Sequence, residues 1–309
     1  MSKEKTFHKI LDWLIPINSD RRMAVRLLKQ IYRSPVTVKR RINCVNISNF
    51  LRYRNYEFYC PICGHETTPL YDFPDLELRR LHMIGILRET LQCRMCFGSL
   101  RQRSLALALL NYFAHRNSVN YNSIASLAAA GLGGVRLLDT DNFSAISQLL
   151  REVPGYVRCS YLPDRTWGEE IEPNYFNINL EKIDFSDASF DIVLTSDVME
   201  HVRNSDAAHA EIERVLTPDG AYIFNVPFDE GSQNDILLVD TSGEENRYLC
   251  EPQFHGDPLT GGILAYRVFG RHLITELSDL GFEVDFFKIE HPASLVVDGD
   301  VFVAMKKVH

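Results

Sequence analysis

The segment Phe190-Asp191-Ile192-Val193-Leu194-Thr195-Ser196 constrains this chain more than any other, because it is short, apolar and rich in β-branched residues. Runs of this kind form strands buried on both faces of a parallel sheet. A helical pattern follows from about Asp197 to Leu216. It is broken at Thr217-Pro218-Asp219-Gly220, since proline has no amide hydrogen to donate and glycine favours the turn that ends a helix. A second apolar strand, 221–226, is closed by Pro227. Strand, helix, turn and strand in this order make half of a doubly wound α/β sheet, in which ligands bind beyond the C-terminal ends of the strands. Ser196 and Asp197 stand at such an end.

Four of the seven cysteines form two pairs, Cys60-Pro61-Ile62-Cys63 and Cys93-Arg94-Met95-Cys96. Two such knuckles about thirty residues apart bring four thiolates together tetrahedrally on zinc, with no coordination position left for catalysis. Pro61, Gly64 and Gly98 suit the turns around the metal, and His82 is a further but unneeded ligand. A redox disulfide and unligated buried thiols are the alternatives, the first disfavoured in a reducing compartment. Cys44, Cys159 and Cys250 read as ordinary packing residues. A strong helix begins at Ser99.

Charge is distributed unevenly. Residues 1–56 carry 13 Lys and Arg against 3 Asp and Glu, so this arm is +10 and the remainder −18. Phe7, Ile10, Leu11, Trp13 and Leu14 suggest one amphipathic helix in it, and Met23, Val25, Leu27, Leu28, Ile31 and Tyr32 a second. Such faces pack on an acidic domain or a partner protein, or lie on an anionic membrane surface. Lys39-Arg40-Arg41 and Arg52-Tyr53-Arg54 add nucleic acid as a third partner class, which the acidic remainder opposes. No apolar run reaches the roughly 20 residues of a membrane span and no signal-peptide pattern is present. The expected location is the cytoplasm, with the periphery of the inner membrane as the alternative.

From Val135 to Lys307 the chain resembles the class I S-adenosylmethionine-dependent methyltransferases of the type 11 kind. The likeness rests on the Phe190-Asp191 strand, on Glu200-His201 and on the turn Glu213-Arg214-Val215-Leu216-Thr217-Pro218-Asp219-Gly220. It implies a doubly wound, Rossmann-like sheet over 105–309, preceded by a four-cysteine zinc module at 57–104 and a basic helical arm at 1–56. It also implies S-adenosylmethionine as cofactor, bound by Asp139, Thr140 and Asp141 after the first strand, Ser160 and Tyr161 after the second, Asn179 and Leu180 after the third, and Ser196 and Asp197 after the fourth. Three of these places depart from the family pattern. The loop 139–145 has no glycine, Ser160 stands where a carboxylate grips the ribose, and Asn179 where an acidic residue meets adenine.

The four-cysteine module followed by Gly98-Ser99, Arg101 and Arg103 is similar to bacterial methyltransferases of surface-polysaccharide clusters, which implies a saccharide or glycolipid acceptor and a role in polysaccharide biosynthesis. A loop like His255-Gly256-Asp257-Pro258 lies on the acceptor side in that group, making His201, His255 and Asp257 the catalytic candidates, with imidazole as the base. The same loop can equally be a structural turn in which Asp257 caps backbone amides. Glu200 and His201, adjacent on a helix, would point about 100° apart and not share the pocket. The alternatives left open are a methyltransferase-like scaffold without the cofactor, an RNA methyltransferase, and a pocket for another nucleotide or nucleotide sugar.

Overall fold

The computed structural model describes Tyr53 and residues 55–71, 87–255 and 262–308. The expectations for the basic arm up to residue 52 and for Cys44, His82 and Asp257 lie outside the described residues.

The first knuckle is framed by strands β1 (Phe58–Tyr59) and β2 (Glu66–Thr67), the second by β3 (Pro69–Tyr71), a helical turn α1 (Leu87–Thr90) and β4 (Leu91–Cys93). Helix α2 (Leu100–Asn117) then runs across the expected boundary at 104, capped by the Ser99 hydroxyl, which accepts from the Gln102 amide. Helix α3 (Ile124–Ala130) opens on a capping box of Ser123 and Ser126. Its first amides, of Ile124 and Ala125, donate to the carbonyls of Pro61 and Ile62 and fasten the first knuckle.

The main sheet is built from β5 (Leu137–Asp139), β6 (Tyr156–Ser160), β7 (Glu170–Glu172), β8 (Tyr175–Asn177), β9 (Phe190–Ser196) and β10 (Leu216–Asn225), with helices α4 (Ala145–Leu150) and α5 (Ser205–Val215) between them. Short strands follow as ribbons or pairs: β11 (Ile236–Leu237), β12 (Val239–Asp240), β13 (Arg247–Tyr248), β14 (Phe254–His255), β15 (Ile263–Leu264) and β16 (Arg267–Val268). Helix α6 (His272–Asp279) leads to the long edge strands β17 (Phe282–His291) and β18 (Val296–Lys306).

The strands lie in the order β17-β18-β10-β9-β5-β6-β8-β7, with β8, β6, β5, β9 and β10 mutually parallel and β18 antiparallel to β10. The chain moves outward from β5 through β6 to β8, then returns to β9 on the other side of β5. That reversal makes the topological switch point, and it lies beyond Asp139 and Ser196. One apolar core packs α2, α3, α4 and both knuckles on Leu137, Ile192 and Ile223; the other packs α5 and α6 on Leu138, Val193 and Tyr222. Alternating residues of β5, β9 and β10 thus serve opposite faces, as period-2 geometry requires.

The sequence reading needs correction in four places. The helix expected from Asp197 is a 3₁₀ turn, Met199–His201, then a break, and α5 begins only at Ser205. Asn204 caps α5, and Arg267 holds the break by donating to the carbonyls of Val202 and Arg203 and to the Ser205 hydroxyl. Strand β10 starts at Leu216, with its register shifted at the 217–220 turn, where Asp219 has φ 60°. The strand expected over 263–268 is two short strands pairing with different partners, β15 with β14 and β16 with β11. Cys159 is buried as expected, but Cys250 is exposed.

Candidate active site

The four knuckle cysteines come together. Cys60 Sγ lies 3.8 Å from Cys96 Sγ and Cys63 Sγ 3.8 Å from Cys93 Sγ, and all four sulfurs lie within 4.8 Å of one another. Disulfides are excluded by those separations. Four sulfurs at zinc-bond length, about 2.3 Å from a common centre, would stand about 3.75 Å apart, so the set fits a tetrahedral ion. A Cβ on Gly98 would lie 2.5 Å from Ile62 Cδ1, so a larger residue there makes the buried Ile62 side chain shift.

The loop after β5 turns without glycine. None of the residues 139–144 has a positive φ. The turn is closed by side chains: Asp141 Oδ1 accepts from the amides of Phe143 and Ser144, and Ser144 Oγ from the Ser147 amide, so α4 starts on hydroxyl and carboxylate acceptors. Arg158 on β6 pins Asn142 by a 2.7 Å bond to its side-chain oxygen. Asp139, 1% exposed, accepts from the Tyr156 hydroxyl at 2.7 Å and from the Asp141 amide at 2.8 Å. Burial, with the charge of Asp141 adding to it, pushes its carboxyl up to about 8.

That shift has a testable sign. A carboxyl whose folded pKa exceeds its unfolded value of about 3.9 keeps a proton that the unfolded chain releases, so folding is penalised progressively as pH rises from about 4 to about 8. Urea melts at pH 5 and pH 8 of the natural chain and of Asp139→Asn test this. The natural chain should lose about 3–4 kcal/mol relative to the variant between pH 5 and pH 8. An unchanged difference between the two would show that Asp139 does not carry the proton.

Ser160 is buried at the end of β6, and Tyr161 beyond it is 54% exposed, its ring 5.1 Å from that of Trp167. Asn177, which the sequence reading overlooks, is wholly buried at the end of β8. Its amide nitrogen lies within 3.2 Å of the carbonyls of Leu162, Arg165 and Thr166, so it shapes the loop that carries Trp167. Asn179 Oδ1 accepts from the Glu181 amide at 3.0 Å, and Leu180 is buried in the core. Thr140 donates through its amide to the Leu194 carbonyl, joining the ends of β5 and β9.

Beyond β9 the sequence reading misses most of the chemistry. Asp197 sits at φ 50°, a left-handed conformation that aspartate tolerates better than most residues. Its carboxylate takes both terminal nitrogens of Arg88, Nη2 at 2.7 Å and Nη1 closer, and lies 3.3 Å from Arg101 Nε. Arg101 also bonds Glu89 at 2.8 Å and the Ser196 hydroxyl. Burial alone would raise the Asp197 carboxyl, but Arg101 and Arg88 outweigh it and hold it at about 2. Arg88 and Glu89 lie just before the second knuckle and Arg101 just after it, so the cysteine module supplies half of this cluster. No residue pattern in one segment signals a network assembled from three.

The histidines also converge. His201 Nδ1 is 2.9 Å from the Leu264 carbonyl, His201 Nε2 is 3.2 Å from His255 Nδ1, and each of the facing nitrogens is 3.6 Å from Glu200 Oε1. Glu200 and His201 therefore do face one point, contrary to expectation, although neighbours in a 3₁₀ turn diverge by about 120°; the glutamate arm is long enough to bring Oε1 within 3.6 Å of His201 Nε2. Glu200 is 0% exposed and its pKa is raised by burial; His255 is half exposed and its pKa is raised chiefly by Glu200.

Fold and site together define a doubly wound α/β protein whose polar cluster occupies the topological switch point. Residues 160–224 match a family described as a methyltransferase domain. No curated protein matches the chain. Among solved structures, an S-adenosylmethionine-dependent methyltransferase of Methanosarcina mazei shares 18% identity over 57% of this chain and 93% of its own, with a TM-score of 0.35. One from Mesorhizobium loti shares 14% over 67% and 97%, with a TM-score of 0.38. A candidate one from Listeria monocytogenes shares 15% over 56% and 92%, with a TM-score of 0.35. Values this low say nothing about the activity of this chain.

Proposed function

We propose that the protein is an S-adenosylmethionine-dependent methyltransferase acting on a hydroxyl of a saccharide or glycolipid, with a structural zinc ion on Cys60, Cys63, Cys93 and Cys96. The observation that carries the reading is the methyltransferase-domain match over 160–224, which falls on the strands that bring Ser160, Asn179, Ser196 and Asp197 to one end of the sheet. The residues there suit the cofactor. Tyr161 and Trp167 offer an exposed aromatic face for adenine, Ser160 a hydroxyl for the ribose and Asn179 an amide for the purine edge. Arg101, bonded to the Ser196 hydroxyl, offers a cation for the amino-acid carboxylate.

When bound, that cofactor supplies an electrophilic methyl carbon for in-line displacement. The chain then has to align an acceptor oxygen and remove its proton. His255, half exposed above His201 and Glu200, is the group placed to meet the acceptor. The saccharide class is supported by the resemblance of the cysteine module and the helix after it. Residues 1–56, at +10, would bring the enzyme to an anionic membrane surface or to an acidic partner. No helix of the described residues is long and apolar enough to cross a membrane.

Isothermal titration calorimetry of the zinc-loaded full chain with S-adenosylmethionine and S-adenosylhomocysteine tests the proposal. Micromolar binding is expected. No heat at millimolar ligand, from protein shown to be folded, would sink the methyltransferase reading and favour a scaffold that has lost its cofactor.

A further inference from the structure

We propose that Glu200, His201 and His255 hold a divalent metal ion on the acceptor side of the switch point, with coordination positions left open for a substrate oxygen. The geometry comes first. Glu200 Oε1, His201 Nε2 and His255 Nδ1 form a triangle with edges of 3.6, 3.6 and 3.2 Å. Such a triangle has a point about 2.0 Å from all three atoms, the bond length of nitrogen and carboxylate oxygen to zinc and close to that of its neighbours in the first transition row. An ion at that point lies in the plane of the three donor atoms, so both faces of the triangle are left for further ligands.

The second observation is an unsatisfied carboxylate. Glu200 is 0% exposed, and neither of its side-chain oxygens has a hydrogen-bond partner. Its nearest polar neighbours are the two imidazole nitrogens at 3.6 Å, too far for a hydrogen bond, and an ion held between the three atoms would compensate the buried charge. Asp197 cannot serve instead, because Arg88 and Arg101 already occupy its oxygens. The ion would therefore face one carboxylate and two neutral rings.

The third is the support behind the ligands. The Leu264 carbonyl can only accept, so His201 Nδ1 carries the hydrogen and Nε2 presents a bare lone pair inward, the arrangement that orients metal-ligating histidines. Strands β14 and β15 pair His255 with Ile263 and carry the Leu264 carbonyl to the same place. The Tyr266 amide fixes the 3₁₀ turn by donating to the Glu200 carbonyl at 2.8 Å. Histidine and carboxylate thus arrive on a braced ribbon and a braced turn.

The ion deepens the acceptor-side reading and rests on it for its purpose: a hydroxyl bound to it would release its proton to solvent more readily, so activation would pass from an imidazole to the ion. The site itself is testable without any methyl transfer. Full-length protein with its cysteine site zinc-loaded is titrated with MnCl2, following free Mn2+ by electron paramagnetic resonance, and separately loaded with ZnCl2 and analysed for metal per chain. One Mn2+ per chain should bind saturably, and zinc should rise from one to two per chain. His255→Ala, at a half-exposed position, and Glu200→Gln should each weaken Mn2+ binding about 10- to 100-fold while the first zinc is retained. Absence of saturable Mn2+ binding together with one zinc per chain would overturn the site, as would Mn2+ affinity unchanged in both variants. Failure to bind S-adenosylmethionine would overturn the methyltransferase reading and leave this result standing.

Discussion

Replacing Arg103 with methionine is expected to destabilise the protein by about 3–5 kcal/mol, the loss typical of removing one partner from a buried ionic network. Arg103 is wholly buried on α2. Its guanidinium donates to the carbonyls of Ser294 at 3.1 Å, Leu91 at 3.1 Å, Gly98 at 2.9 Å and Leu295 at 2.9 Å, and lies over the Phe58 ring. It therefore ties the second knuckle to the turn between β17 and β18, nearly two hundred residues later. Burial lowers its pKa to about 10, opposed by the charge of the neighbouring thiolates, so it stays a cation at neutral pH. The proposed zinc ion with four thiolates would carry two net negative charges, with the buried Arg103 cation beside them. Methionine fills similar volume but withdraws a donor from four carbonyls in a dry core, the Gly98 carbonyl keeping the Cys93 amide. Lysine keeps the charge yet cannot spread donors over four acceptors, so Arg103→Lys should lose most of the same energy. Urea melts of both variants decide the matter; a loss below about 1 kcal/mol for methionine would show that the carbonyls find other donors.

Removing the zinc ion proposed for the cysteine site should cost more, on the order of 5 kcal/mol or above, because metal-binding energy in such knuckles is folding energy. Stripping with a chelator and the substitution Cys93→Ser should agree. Cys60 and Cys93 belong to the same core as Leu137 and Ile192, so their release exposes a face of the main sheet rather than a detached appendage. The damage should reach the polar site as well. Arg88 and Glu89 lie within five residues of Cys93, and Arg101 five after Cys96; once the knuckle loosens, these guanidiniums leave Asp197. Thermal melting with and without chelator, with metal analysis of the same samples, measures this. A melting temperature unmoved by complete removal of the metal would refute a structural role.

The strands at the centre are legible in the sequence, because burial on both faces leaves a compositional mark that needs no partner to be read. Phe190–Ser196 and the helix beginning at Ser99 follow from runs of apolar residues, whereas the place of Tyr156–Ser160 follows from the family resemblance. The cysteine cluster is legible for a similar reason, since two-residue spacers within each pair restrict where the sulfurs can go. Other features are hidden. The break after His201 depends on Arg267, a residue more than sixty positions away. Arg88, Glu89 and Arg101 look like solvated charges, and only the docking of the knuckles on the sheet turns them toward Asp197.

What the sequence determined by itself is local: which runs are apolar enough to form buried strands, where hydroxyls and amides can cap helices, and which cysteines are paired closely enough to share an ion. These depend on neighbours within a few bonds along the chain. What the tertiary structure alone decided is which charges meet. Asp197 with Arg88 and Arg101, Glu200 with His201 and His255, and Arg103 with four distant carbonyls are each assembled from separate segments. Their energies depend on burial and on separations of a few ångströms, and neither quantity is written in residue order.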